Sequence, residues 1–147
     1  MATLSSFLSA EEREKIVAAI REAEGKSIGE IKVYFEKRCK ADVLDRALEI
    51  FSKLKLHETR HQTGILIYVA YEDKLFAIIG DKGIHAKVPE NFWDETKTMM
   101  EFHFRQGQFS EGLIKGIHLS GEQLRKFFEP TGENPNEISD DIVIADE

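Results

Sequence analysis

With 147 residues, 41% hydrophobic and 32% charged, the chain is large enough for one domain with a buried core and too apolar to be disordered throughout. A net charge of -7 sets it against non-specific binding to nucleic acid or anionic lipid, both of which repel it, and favours cations as ligands. Its single cysteine, Cys39, excludes an internal disulfide.

The opening MATLSSFLSAEEREK has no early Lys or Arg, and Ser5, Ser6 and Ser9 interrupt its apolar residues. It therefore does not read as a secretory signal. No segment approaches the roughly 20 apolar residues of a membrane span. The expectation is a cytoplasmic protein.

Ser9 and Glu12 form a capping box, and Ile16, Val17 and Ile20 recur at helical spacing, so a first helix is expected over 10–24, stopped by Gly25. Residues 30–36 alternate: Ile31, Val33 and Phe35 point one way, Lys32, Tyr34 and Glu36 the other. That pattern predicts a strand with one face partly wet. A second helix is expected over 41–54, with Val43, Leu44, Ala47, Leu48 and Phe51 inward and Asp42 and Asp45 in its first turn. Residues 63–70 are almost wholly apolar, as in a strand covered on both faces. A turn at 71–73 joins them to a third strand over 74–80, making a hairpin. Gly80-Asp81-Lys82-Gly83 ends that strand.

Pro89 introduces a helix over 90–105 carrying Phe92, Trp93, Met99, Met100 and Phe102, broken by Gly107. A last helix is capped by Ser110, with Leu113, Ile114, Ile117, Leu124 and Phe127 inward. Gly112 and Gly116 imply close contact with a neighbour. After Phe128 the composition turns acidic and holds Pro130 and Pro135, so 1–128 reads as the domain and 129–147 as a flexible acidic tail whose IVIA stretch could still dock. The order α-β-α-β-β-α-α predicts an α/β fold: a small mixed sheet with helices on both faces, its first two strands parallel and its third antiparallel.

His57-Glu58-Thr59-Arg60-His61 matches the H-E-x-x-H string of zinc hydrolases, which need a sustained helix and a third ligand. Here helical periodicity ends near Leu56 and a strand opens at Thr63, so the string reads as a polar connection. His85, His103 and His118 fall in no third-ligand motif. Cys39 lies beside Arg38 and Lys40 but lacks an evident histidine base, and reads as incidental. Phe92, Trp93, Phe102, Phe104 and Phe109 read as core. Gly80-Asp81-Lys82-Gly83 lacks the spacing of a phosphate loop.

The expected topology places Asp81 near Glu30 and Thr63, with the 106–111 turn reaching the same sheet end. Oxygen-rich loops suit calcium or magnesium, so Glu30, Asp81 and Glu111 are the candidate ligands, against the alternative of a solvated acidic rim. Glu36, Asp42, Glu72 and Asp73 form a second acidic cluster at the opposite end. No spacing resembles an EF-hand.

TGILIYVAYEDKLFAIIGDKGIHAKVPENFW, followed by FRQGQFSEGLIKGI, resembles the TPM-domain family and its short soluble bacterial forms. The likeness spans about Phe7 to Phe128. It includes the Ser-Ala-Glu-Glu helix opening, the Gly-Glu-Ile strand, the charged hairpin turn, and Gly107, Phe109, Gly112 and Leu113. Where many members have Gly-Tyr-Gly, this chain has Gly80-Asp81-Lys82-Gly83, with a carboxylate of its own. The resemblance implies an α/β/α sandwich, divalent-cation binding in some members and acid phosphatase activity in others. It also places HETRH in the loop before the second strand. The leading expectation is a non-enzymatic domain binding calcium or magnesium, with room for a protein partner the sequence does not identify. The alternative is a metal-dependent phosphoester hydrolase, and a zinc hydrolase on His57, Glu58 and His61 is a third reading.

Overall fold

A computed structural model describes residues 8–25, 30–59, 62–127 and 142–145. The first helix, α1 (Ala10–Glu24), opens on the expected capping box: the Ser9 hydroxyl accepts from the Glu12 amide, and the Glu12 carboxylate accepts from the Ser9 amide. Strand β1 (Glu30–Glu36) follows, then α2 (Val43–Lys53), a short 3-10 turn at Leu56–Glu58, and the hairpin β2 (Gly64–Ala70) and β3 (Leu75–Gly80). Short α3 (Lys82–His85) leads to α4 (Asp94–Arg105), α5 (Phe109–Arg125) and β4 (Val143–Ile144).

The sheet order is β3-β2-β1-β4. Strand β1 is parallel to β2 and β4, and β2 is antiparallel to β3. This is the α/β fold the residue pattern predicts, with one added strand. Within the expected acidic tail, residues 142–145 dock on the sheet: the Ala145 amide donates to the Phe35 carbonyl at 2.9 Å, and Ile142 is buried in the core. Those four residues are the IVIA stretch, whose docking the sequence leaves open. The remainder of 128–147 lies outside the described residues.

Two cores sandwich the sheet. On one face Ile31, Val33, Phe35, Ile65, Ile67 and Ile78 meet side chains of α1, α4 and α5. On the other, Tyr34, Leu66, Tyr68 and Ala77 meet Ala47, Ile50 and Phe51 of α2 and Leu56 of the 3-10 turn. The second face of β1 is therefore dry rather than partly wet: Lys32 and Tyr34 are both buried. The same packing turns α2 from its expected face, because Ile50 joins Ala47 and Phe51 inside while Leu44 and Leu48 are about half exposed, at 49% and 53%.

Two other boundaries move. Residues 89–93 form turns rather than the first turn of α4, and Phe102 points outward while His103 is buried. Helix α5 starts one residue before Ser110, and the Ser110 hydroxyl donates to Glu12 of α1 instead of capping. The expected glycine contacts do occur. A Cβ on Gly116 would lie 2.5 Å from Met100 Sδ, and one on Gly112 would lie 2.8 Å from the Phe104 ring, so α4 and α5 approach closely. The ring contacts Phe76–Phe104, Phe104–Phe109 and Phe109–Phe35 join α4 and α5 to the sheet, with centroids 5.2, 5.4 and 5.9 Å apart.

Candidate functional site

The start of β1 and β2 and the end of β3 share one edge of the sandwich. Glu30 pairs with Gly64 across β1 and β2, and the Asp81 amide donates to the Gly64 carbonyl at 2.9 Å. Glu30 and Asp81 therefore flank Gly64, with main chains two strand spacings, or about 10 Å, apart. Strand alternation places both on the α2 face: Glu30 shares its side with Tyr34, while Gly80, just before Asp81, faces Ile84 and Trp93 in the opposite core.

The absent side chain of Gly64 makes room for the main chain of the 3-10 turn. A Cβ there would lie 2.5 Å from the Leu56 carbonyl oxygen, a collision with backbone. Leu56 to Glu58 thus cover the same sheet end, and the connection that looked like a zinc motif does sit beside Glu30 and Asp81. His57 and Glu58 are exposed on a three-residue turn, and Arg60 and His61 lie outside the described residues.

Asp81 is the most informative side chain here. It caps α3, its Oδ1 accepting from the Lys82 amide at 2.7 Å. Its other oxygen, Oδ2, is buried and has no hydrogen-bond partner among the described residues. A buried carboxylate oxygen left unpaired costs free energy, which a bound cation would recover. Glu30 is buried as well, at 3% exposed.

Glu111 does not join them. The Phe109 ring packs on Phe35 near the end of β1, and Ser110 donates to Glu12 at the start of α1. The end of α1 meets the start of β1, where Glu24 Oε2 accepts from the Ile31 amide at 2.8 Å. The 106–111 turn therefore lies at the far end of the sheet, a correction to the expected placement. Glu111 is exposed there and pairs with Lys115 at 3.2 Å. Among the described residues, no group of three or more His, Cys, Asp or Glu side chains is placed to hold a metal ion.

The second acidic cluster occupies the far end, and each of its carboxylates has a partner, although Glu72 Oε2 makes no hydrogen bond among the described residues and only lies 3.8 Å from Lys37 Nζ. Glu36 accepts from Arg46 Nε at 3.0 Å and Nη2 at 2.5 Å, and from the Tyr68 hydroxyl. The Arg46 guanidinium is the first cause holding Glu36 below the usual carboxylate range, with Tyr68 adding to it and burial opposing. Burial and the Glu36 carboxylate push the Tyr68 phenol up. Asp42 caps α2, Glu72 pairs with Arg38 at 2.5 Å, and Asp73 accepts from the Cys39 amide at 2.8 Å. Cys39 donates its thiol proton to the Ala41 carbonyl, and no histidine is among its partners. Among the other described histidines, His103 Nδ1 meets Gln108 Oε1 at 2.7 Å and His118 Nε2 lies 3.5 Å from Glu22.

No helix among the described residues is long and apolar enough to cross a membrane. No curated protein matches the chain. Among solved structures, the BA42 protein of the psychrophilic bacterium Bizionia argentinensis is similar at 44% identity and a TM-score of 0.92, covering 99% of this chain and all of that one. The N-terminal domain of a P. gingivalis protein (17% identity, TM-score 0.70, 86% of this chain and 84% of that one) shares the fold. So does the N-terminal domain of cg2496 from Corynebacterium glutamicum (11%, TM-score 0.63, 92% and 80%). The model of the TPM domain matches residues 2–123, and the chain belongs to that family.

Proposed function

We propose that this protein is a divalent-cation-binding domain, taking calcium or magnesium at the sheet end formed by Glu30 and Asp81, and that it is not itself an enzyme. The observation that carries the reading is the buried, unpartnered Oδ2 of Asp81. Glu30 on the same face and the Leu56 carbonyl over Gly64 add oxygen atoms nearby. Two carboxylates and a carbonyl suit a hard cation that keeps part of its water shell better than a closed all-protein cage. No described histidine belongs to this oxygen set, and zinc would want imidazoles. Glu111 is left out of the ligand set because it lies at the other end of the sheet.

Residue-resolved NMR titration with calcium and with magnesium tests the reading. Saturable shifts at Glu30, Gly64 and Asp81, abolished in Asp81→Asn, are expected. Linear or absent shifts at those three residues would refute it. The phosphoester hydrolase alternative would require the cation to neutralise phosphate and polarise water at the same centre. A phosphomonoester assay with magnesium separates the two, since the cation-binding reading expects no turnover above the Asp81→Asn background.

A further inference from the structure

At the far end of the sheet a cleft of about 350 Å³ opens beyond the end of β1, lined by Glu36, Arg38, Lys40, Ala41, Arg46 and Glu49. It sits where the chain leaves β1 for α2: Glu36 ends the strand, Arg38, Lys40 and Ala41 lie in the connection, and Arg46 and Glu49 lie on α2.

The lining has the wrong sign for a chain of net charge -7. Three of its six residues are cationic. Arg46 is held against Glu36 through Nε and Nη2 and against Glu49 through Nη1, which fixes its plane. A guanidinium has five N–H groups, so two remain. Arg38 meets Glu72 through Nε and Nη2, leaving three more. Lys40 makes no hydrogen bond or ion pair among the described residues. The carboxylates offset most of the arginine charge, yet they also set both guanidiniums in place, while Lys40 acts on Glu36 through its charge alone and keeps its N–H donors free of hydrogen bonds among the described residues. The result is a small cleft rich in fixed N–H donors.

We propose that this cleft is an oxyanion-binding site, with Lys40 and the outward N–H groups of Arg38 and Arg46 as its donors, for a ligand presenting a phosphate or carboxylate group. Charge-assisted hydrogen bonds to preset guanidiniums are the strong class of such contacts. The site is separate from the cation end: the seven residues of β1 put about 20 Å between them. An oxyanion held here is out of reach of a cation at Asp81, so the site recognises its ligand and does not share a metal centre with it.

The test is NMR titration of the full chain with inorganic phosphate and, separately, with acetate, in buffer stripped of divalent cations by chelating resin so that the cation end stays silent, against a sodium chloride series of matched ionic strength. Saturable shifts in the 37–42 amides and the Arg38 and Arg46 side-chain N–H signals are expected, weakened about tenfold in Lys40→Met. Tighter phosphate binding identifies a phosphate-bearing ligand, and tighter acetate binding a carboxylate. Lys40 makes no hydrogen bond or ion pair among the described residues and only a charge interaction with Glu36, so Lys40→Met is expected to fold, and an unchanged amide spectrum away from the cleft verifies it. Should Lys40→Met unfold, Lys40→Arg keeps the charge and is expected to bind like the parent. Shifts matched by chloride, or identical in Lys40→Met, overturn the proposal.

Discussion

Both ends of the sheet carry acidic side chains, buried at Glu30 and Asp81 and half-buried or exposed at Glu36, Glu72 and Asp73, and the two sets are handled differently. At the carboxyl end of β1, Glu36 is gripped by Arg46 and Tyr68, Glu72 by Arg38, and Asp73 by a main-chain amide. At the opposite end, Asp81 keeps one buried oxygen with neither a hydrogen bond nor an ion pair among the described residues, whereas Glu72 Oε2, which also lacks a hydrogen bond, lies 3.8 Å from Lys37 Nζ. Buried carboxylates whose partners come from the same fold stabilise it; a buried carboxylate with an empty lone pair is a place where something else can bind. Counting acidic residues does not distinguish the two ends. Counting their partners does.

The most drastic way to break this contrast is at Gly64, on which the cation end is built. In Gly64→Ala the new methyl would sit against the Leu56 carbonyl, and backbone rather than a flexible side chain must give way. A loss of about 3 kcal/mol is expected in urea unfolding, as for other forced overpacking. The NMR shifts should spread over both the Leu56–Glu58 turn and the Glu30 strand start. A loss within experimental error would mean that the turn does not rest on Gly64.

The saturated end is tested by Arg46→Ala. Removing the cation leaves Glu36 half-buried with the Tyr68 hydroxyl and only the more distant charge of Lys40, for an expected loss of about 2 kcal/mol at neutral pH. The pH dependence sharpens this. Glu36 titrates lower when folded than when unfolded, so its contribution is complete above the unfolded value of about 4.3 and fades as pH falls through the folded value. The parent should therefore lose stability in acid more steeply than Arg46→Ala, and the two unfolding curves should converge at low pH. Parallel curves would show that the pair is not what Arg46 contributes.

These tests bear on what was readable from residue order alone. The capping box, the hairpin, the parallel β1–β2 pair and the meeting of Glu30 with Asp81 all follow from local spacing plus a topology with few alternatives. The errors share a cause: they concern surfaces decided by distant chain. Lys32 reads as wet until α2 and its neighbours cover it. The inner face of α2 rotates toward Ile50 because two helical faces of similar apolarity compete and the sheet selects one. The 106–111 turn was assigned to the wrong end because the direction of α4 and α5 across the sheet is not encoded in either helix. The donor cleft of Arg38, Lys40 and Arg46 had a legible trace, a basic run after a strand in an acidic chain, which was read only as the setting of Cys39.

A smaller effect is expected at Asp81. In EDTA, Asp81→Asn should be neutral to stabilising by about 1 kcal/mol, because it removes an unpaired buried charge and Asn caps a helix as well as Asp does. Saturating calcium should raise the melting temperature of the parent, since a ligand bound only by the folded state stabilises it, and leave the variant unmoved. A variant destabilised in EDTA would indicate that Oδ2 already has its partner in the protein.

The smallest effect is predicted at the residue whose sequence setting looked most like chemistry. His57 stands exposed on a turn of three residues, which cannot present ligands four apart on one face as a sustained α-helix does. His57→Ala should change stability by no more than about 0.5 kcal/mol, the usual range for an exposed position. Its calcium titration should superimpose on that of the parent, because the backbone of the turn, not its side chains, covers Gly64. Elemental analysis of both proteins after chelator treatment then decides between the two uses of this segment. Equal, substoichiometric zinc is expected. Stoichiometric zinc retained by the parent and lost by His57→Ala would return the chemistry to the histidines and leave the open oxygen of Asp81 without the role argued for it.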